Sequence, residues 1–412
     1  MKVFKFGGAS VRDADAVRNI CRIIEEYAGE QLVVVVSAMG KTTNALERLL
    51  ALARAKKPLA EELNPLKEYH HDIVVNLFGE GQAMDWLMPW WESLEAACKK
   101  APEMDHNEAY DNIVSHGELI STTIIAQYII FSGIPVAWID AREYVRTDGV
   151  FRDGTVDWEV TRRQLKGLAV EPNIVLTQGF IGGTAEGKPT TLGREGSDFT
   201  AAILAACLEA ESVTIWKDVP GILNADPKRF SDTVQFDSLS YHEAAEMSYY
   251  GASVIHPKTI KPLATERIPL YVRSFENLQL PGTVIGDVED VQLPPTYIVK
   301  EDQALIRFGL KEFTFVNEEN LTRIFLTVDK LRIRIRMMQN SAISFSICID
   351  NREDQVRSLL KELQSHFFIS VHQPCTLLTI KNYRDEDIRR MLADKEVLIE
   401  QKTERNFQIV YR

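Results

Sequence analysis

QLVVVVSA, residues 31–38, is apolar and β-branched almost throughout. A strand with one wet face alternates apolar and polar residues. This one does not, so it reads as a parallel strand buried on both faces. The surrounding pattern agrees. KVFKF (2–6) is a second strand, and Val17, Ile20, Cys21 and Ile24 then recur at the spacing of an amphipathic helix, with Asp13 as its N-cap. IPVAWID (134–140), NIVLTQGF (173–180), SVTIWKD (212–218) and IPLYVRSF (268–275) supply further strands, with helices between several of them. Residues 44–112 read as mostly helical, broken at KKP (56–58) and NPL (64–66). The alternation defines an α/β domain with a largely parallel sheet sandwiched by helices.

Composition narrows the function classes. The chain has 412 residues, room for two or three domains. A net charge of −12, from 47 basic and 59 acidic residues, argues against general binding to nucleic acid or an anionic membrane. Cys21, Cys98, Cys207, Cys348 and Cys375 are scattered, odd in number and never spaced CxxC. They read as reduced thiols of a cytoplasmic protein rather than as disulfides or a zinc site. The N-terminus MKVFKFGGAS lacks the apolar core of a signal peptide. The apolar stretch from Leu119 to Ile139 is interrupted by Ser, Thr, Gln, Gly and Pro, and reads as a helix and a strand rather than a membrane span.

Ligands of open parallel sheets bind beyond the carboxyl ends of the strands, so the residues after each strand are the candidates. Gly7 and Gly8 follow the first strand, with Lys5 just before them. They are either a phosphate turn or a plain strand-to-helix turn. SAMGKTTN (37–44) contains Gly-Lys-Thr, but a Walker A loop requires glycine where Val35 stands. Thr43 is either a polar ligand or, with Asn44, a helix cap. Ser115 and Glu118 have the spacing of a capping box, and Glu118 also suits a substrate ammonium. In TTLGREGSDFTAA (190–202), Arg194 precedes a helix beginning near Ser197, a carboxylate or phosphate site. Asp198 either complements the helix dipole at the first helical position or meets Mg²⁺ or a substrate cation. Glu195 sits where a tight turn favours glycine and reads as solvent-facing. WKDVPGILNADPKRF (216–230) is a charged surface loop or a nucleotide contact through Lys217 and Lys228.

The pattern changes near residue 276. ENLQLPGTVIGDVEDVQLPP (276–295) is loop-like. QALIRFGL, a helix over 319–330, LRIRIRMM, AISFSICID, a helix over 352–366 and FISVH then give a βαββαβ order, that of a ferredoxin-like α+β unit. CTLLTIKN, a helix over 385–393, VLIEQKT and FQIVYR begin a second copy that stops short. Domains are therefore expected at 1–290, 298–372 and 373–412.

KFGGAS, VVVVSAMGKTTN, SHGELIS, TQGFIGG, TTLGREGSDFTAA, WKDVPGILNADPK and EAAEMSYYGASVIHPKT occur in one order over most of residues 1–275. Together they resemble the aspartate kinases of the amino-acid kinase family, and the tail resembles their paired ACT regulatory units. The resemblance implies phosphoryl transfer from ATP, with Mg²⁺ held mainly by the nucleotide's phosphates, to the side-chain carboxylate of L-aspartate. It implies catalytic roles for Lys5, Gly8 and Asp198. Thr43, Glu118, Phe180, Arg194, Gly196 and Ser197 would hold aspartate, Arg194 on the α-carboxylate and Glu118 near the ammonium. Lys5, Gly7, Gly8, Lys217, Asp218, Leu223, Lys228 and Ser253 would meet ATP. Four positions depart from the family pattern: Ala9, Glu195, Leu223 and Ser253. The segment MMQNSAISF (337–345), through Met338, Asn340 and Ser341, is the candidate effector loop for lysine or threonine. A homodimer or larger assembly through the ACT units is expected. The alternatives are another amino-acid kinase, acting on glutamate, acetylglutamate or a nucleoside monophosphate, and a non-catalytic sensor on the same fold.

Overall fold

A computed structural model describes residues 1–27, 29–81, 84–166, 168, 172–252, 255–289, 293–311, 315–393 and 395–412. Two compact units result: one of residues 1–222, 235–245 and 254–289, the other of residues 223–234, 246–253 and 290–412.

In the first unit the strands are Lys2–Phe6 (β1), Leu32–Val36 (β2), Ala137–Ile139 (β3), Ile174–Gln178 (β4), Ile181–Gly183 (β5), Pro189–Thr191 (β6), Ser212–Lys217 (β7), Ser238–Ser240 (β8), Leu270–Ser274 (β9) and Thr283–Gly286 (β10). Eight of them form one sheet in the order β3-β4-β2-β1-β7-β9-β10-β8. Its pairings are parallel except β9 with β10, and β5 and β6 form a separate antiparallel hairpin. The helices are Ala14–Glu26 (α1), Thr42–Arg54 (α2), Ala60–Phe78 (α3), Met88–Lys100 (α4), His106–Val114 (α5), His116–Phe131 (α6), Ala141–Tyr144 (α7), Trp158–Lys166 (α8), Gly196–Leu208 (α9), Tyr241–Tyr250 (α10, crossing the division between units) and Pro257–Glu266 (α11).

All five residues of β2 are buried, as its continuous apolar sequence requires. The side chains alternate between two covered faces. Phe4, Phe6, Leu32, Val34, Val36 and Leu176 join the core made with residues of α1 to α6. Val3, Val33, Val35 and Val213 fall on the opposite face by register and are equally buried. The helical run 106–131 is long and apolar enough to cross a bilayer by length and composition, but 78% of its most apolar window is buried inside the fold.

Several local expectations are corrected. NPL does not break a helix, because Pro65 lies inside α3. One lost backbone hydrogen bond is outweighed there by burial of Leu63, Leu66, Ile73, Val74 and Leu77 along the same helix. Thr43 and Asn44 are not caps, because α2 starts at Thr42 with Lys41 as N-cap. Ser115 and Glu118 make no capping box. Ser115 has helical φ and ψ, makes no cap bond, and its hydroxyl donates to the Asn112 carbonyl at 3.2 Å. The expected loop 276–295 contains β10.

In the second unit Thr296–Leu310 (β11), Ile335–Asn340 (β12), Ser344–Asp350 (β13), Phe367–Lys381 (β14), Val397–Lys402 (β15) and Asn406–Tyr411 (β16) form an antiparallel sheet in the order β12-β13-β11-β14-β16-β15. Its helices are Glu318–Lys330 (α12), Glu353–Leu363 (α13) and Asp385–Leu392 (α14). FISVH and CTLLTIKN, expected as two strands, are one 15-residue strand, β14. β11 likewise starts seven residues before QALIRFGL. The later halves of β11 and the earlier half of β14 close a ferredoxin-like sheet around α12 and α13. Thr296–Lys300 pairs with Leu377–Lys381 in the other half, beside β16 and β15. Thus the fourth strand of the second half comes from before the first half. The effector candidates Met338 and Asn340 are on edge strand β12 rather than in a loop, and Ser341 begins the turn to β13.

Candidate active site

The carboxyl ends of β1, β2 and β4, the end of β6 and the start of α9 converge on a cleft of about 490 Å³. It gathers nine predicted residues: Lys5, Gly8, Thr43, Glu118, Phe180, Arg194, Gly196, Ser197 and Asp198. Ser37, Ala38, Gly40, Tyr110, Arg152, Thr191 and Gly193 also line it, and the sequence reading did not single these out.

Three approaches explain the shape. A Cβ on Gly8 would lie 3.0 Å from the Ala38 carbonyl oxygen and 3.1 Å from that of Gly40, so the two strand-end turns touch backbone to backbone. A Cβ on Gly196 would lie 2.7 Å from the Phe180 ring, so that glycine lets the ring wall the cleft. Phe180 itself has φ +65°, and its N–H donates to the Thr200 hydroxyl at 2.9 Å. Gly179 is pressed against Ser197, where a Cβ would meet the serine Cβ at 2.5 Å.

Lys5 Nζ is 2.6 Å from Asp198 Oδ1, both largely buried. A Cβ on Gly7 would lie 3.2 Å from the same ammonium, which places Lys5 directly over the glycine turn. Asp198 is the third residue of α9 rather than the first, because the helix begins at Gly196. Its carboxylate therefore both meets the helix N-terminus and holds Lys5.

Glu118, in the first turn of α6, is buried. Its Oε1 accepts the Ala38 N–H at 3.3 Å, and its Oε2 has no hydrogen-bond partner. Burial pushes its carboxyl up to about 8. A buried carboxylate with a vacant oxygen is a place for a cation. Arg194 is exposed at the rim. Glu195, the N-cap of α9, has φ +54° and ψ +31° and makes no side-chain cap bond. That left-handed backbone is why glycine is favoured at the position; Glu195 is exposed and also lines the cleft. Asp111, fully buried, accepts the N–H groups of Arg152 and Thr191, each at 2.9 Å, and the Thr191 hydroxyl at 2.8 Å. It ties the 151–153 loop to β6.

The predicted nucleotide residues are less concentrated. Lys217 ends β7 and Asp218 follows it, exposed, beside β1 in the sheet. Neither lines the cleft. Leu223 and the exposed Lys228 belong to the second unit, and Ser253 lies outside the described residues. Among the described residues no group of three or more His, Cys, Asp or Glu side chains could hold a metal ion. The five cysteines are free thiols, all buried.

A mostly parallel sheet whose strand ends meet a glycine turn, a buried lysine and an arginine-bearing helix start defines an anion-handling α/β fold. The chain belongs to the amino acid kinase family, whose model matches residues 1–274. Within that family its similarity is to aspartokinases. Lysine-sensitive aspartokinase 3 of Escherichia coli is 30% identical over 393 residues, covering 92% of this chain and 86% of that protein. The chloroplastic bifunctional aspartokinase/homoserine dehydrogenase of Daucus carota is 33% identical over 383 residues, covering 89% of this chain but only 42% of its own length. The chain thus spans less than half the length of such bifunctional relatives. Among solved structures, E. coli aspartokinase III in complex with aspartate and ADP superposes with a TM-score of 0.85 at 27% identity, covering 100% of this chain and 96% of that one.

Proposed function

We propose that this chain is an ATP-dependent aspartate kinase, forming 4-phospho-L-aspartate. The observation that carries the reading is the cleft's charge pattern: a buried carboxyl, Glu118, with a vacant oxygen; an exposed arginine, Arg194; and a lysine, Lys5, over a glycine turn. That set complements an ammonium, a carboxylate and a transferring phosphate in one pocket. A nucleoside monophosphate offers no ammonium for Glu118, and acetylglutamate has its nitrogen acylated. The solved complex with aspartate and ADP supports the same reading.

The nucleophile is the substrate's own side-chain carboxylate, ionised near neutral pH, so the reaction needs no general base. The chain's task is to bring an anion to a polyanion. Lys5 and the backbone N–H groups of Gly7 and Gly8 neutralise the transferring phosphate, and Asp198 positions Lys5. Thr43, Phe180, Gly196 and Ser197 shape the aspartate pocket. Lys217 and Asp218 meet the nucleotide at the end of β7, with Leu223, Lys228 and Ser253 as further nucleotide contacts. The donor set fits Mg²⁺ carried on the ATP phosphates, since Asp198 is engaged by Lys5 and no acidic cluster stands by among the described residues. Bound there, Mg²⁺ supplies charge neutralisation.

Residues 1–290 form the catalytic domain in this reading, and the ACT-type regulatory units, expected at 298–372 and 373–412, interleave, because Thr296–Lys300 completes the second of them. Lysine is the preferred effector over threonine, given the lysine-sensitive relative, with Met338, Asn340 and Ser341 at the effector site. A homodimer or larger assembly forms through these units. Five free thiols suit a reducing compartment such as the cytoplasm. ADP release from ATP with, separately, aspartate, glutamate, acetylglutamate and UMP, with a hydroxamate trap for the acyl phosphates, tests the assignment. Product with aspartate alone is the expected result; product with another acceptor and none with aspartate refutes it.

A further inference from the structure

The cleft holds a second arginine that the roles above leave unused. Arg152 is exposed and lines the cleft on a loop after β3 and α7. Its guanidinium lies over the Tyr110 ring, 4.2 Å from the centroid, and among the described residues it forms no ion pair. Tyr110 is itself anchored, its hydroxyl donating to Glu47 Oε1 at 3.0 Å. The neighbouring carboxylate, Asp153, is engaged by Lys258 and so is taken up elsewhere.

The loop is held firmly from behind. The Arg152 N–H donates to buried Asp111 at 2.9 Å, and the Gly154 N–H to the Thr191 carbonyl at 2.9 Å. It also abuts the turn that carries Arg194. A Cβ on Gly193, the residue before Arg194, would lie 3.3 Å from the Arg152 carbonyl oxygen and 2.8 Å from Asp153 Oδ1. The two arginine-bearing turns are thus in direct contact, and both line the cleft that Glu118 also lines. Finally, Arg152 has φ +69°, a conformation that glycine adopts freely and arginine does not. Glycine at this position would therefore keep the backbone and remove only the guanidinium.

We propose that Arg152 and Arg194 together clamp the α-carboxylate of the amino-acid substrate, making Arg152 a specificity residue. The proposal rests on the aspartate kinase reading. A planar guanidinium pre-stacked on an aromatic ring loses little freedom on binding a carboxylate, and two forks exceed one in rejecting a substrate whose α-carboxylate is absent or neutral.

The test uses the full chain and Arg152→Gly, which suits the observed φ and therefore preserves folding, with Arg152→Lys as the charge-retaining control. Steady-state kinetics with L-aspartate are compared with the inhibition constant of its α-amide, isoasparagine, which keeps the ammonium and the side-chain carboxylate. Arg152→Gly is expected to raise aspartate KM about 10- to 100-fold, the loss of one charge-assisted contact, with kcat and ATP KM within about threefold. The isoasparagine inhibition constant should change less than about twofold, and Arg152→Lys should recover part of the aspartate KM. An unchanged aspartate KM overturns the clamp while leaving the kinase reading intact. Equal losses for aspartate and isoasparagine also overturn it, since they indicate a merely structural role. No turnover of aspartate by the unaltered chain sinks the kinase reading itself, and the clamp with it.

Discussion

Glu118→Gln separates the cost of the site from its use. The carboxyl's ordinary value is 4.5, and burial pushes it to about 8 in the folded chain. The folded state therefore binds more protons than the unfolded state between those values, so stability contributed by the neutral form is full below pH 4.5 and is lost as pH rises toward 8. At about 1.36 kcal/mol per tenfold, the roughly 3.5 decades amount to an upper figure of about 5 kcal/mol against the ionised folded state at high pH. Glutamine keeps an oxygen for the Ala38 N–H but never ionises. Without aspartate, the stability of Glu118→Gln relative to the unaltered chain should rise by about 2–3 kcal/mol between pH 6 and pH 9. Other titrating groups cancel in that difference. Denaturant unfolding of both proteins at the two pH values measures it, and a gap that stays constant with pH refutes the argument. The same reasoning predicts that aspartate, by pairing its ammonium with Glu118, releases about 0.9 proton per site at pH 7, read as a buffer-dependent enthalpy in calorimetry. Glu118→Gln should abolish that release and weaken aspartate binding.

Lys5→Ala should lower kcat about 10²- to 10³-fold with the fold retained, since it removes the positive charge over the phosphate turn; kcat near that of the unaltered chain would remove Lys5 from the mechanism. Glu195→Gly should stabilise the chain by about 0.5–1 kcal/mol by relieving a left-handed non-glycine residue, with aspartate KM unchanged; a several-fold change in KM would put the Glu195 side chain in the site. Gly179→Ala should destabilise by roughly 2 kcal/mol or more and impair aspartate binding, because its Cβ has no room against Ser197; a melting temperature equal to that of the unaltered chain would contradict the packing.

Local chemistry carried the parallel sheet a long way. The unbroken apolar run of β2 could only be satisfied by covering both faces, and the glycines and charges after each strand could be placed by the rule that ligands sit at carboxyl ends. Lys5, Glu118 and Arg194 were legible because each sits in a short segment whose position in a strand–turn–helix unit is local information. Pro65 and Ser115 misled because tertiary burial overrode the helix-stop and capping signals they carry. The sequence pattern predicts β14 as two strands and β11 only from Gln303 onward, because each strand serves two halves of a sheet, with polar residues where the halves meet.

What the sequence determined by itself was the alternation of elements and the residue types at each strand end, since periodicity and turn chemistry are properties of neighbours along the chain. What only the tertiary structure decided was which of those ends share a cleft. Arg152 and Tyr110 carry no motif; the folded chain brings them beside Arg194 because buried Asp111 binds the loop and β6 together across 41 and 80 residues of sequence. The vacant oxygen of Glu118 is likewise a fact of burial, set by packing from distant segments rather than by any residue near it in the chain.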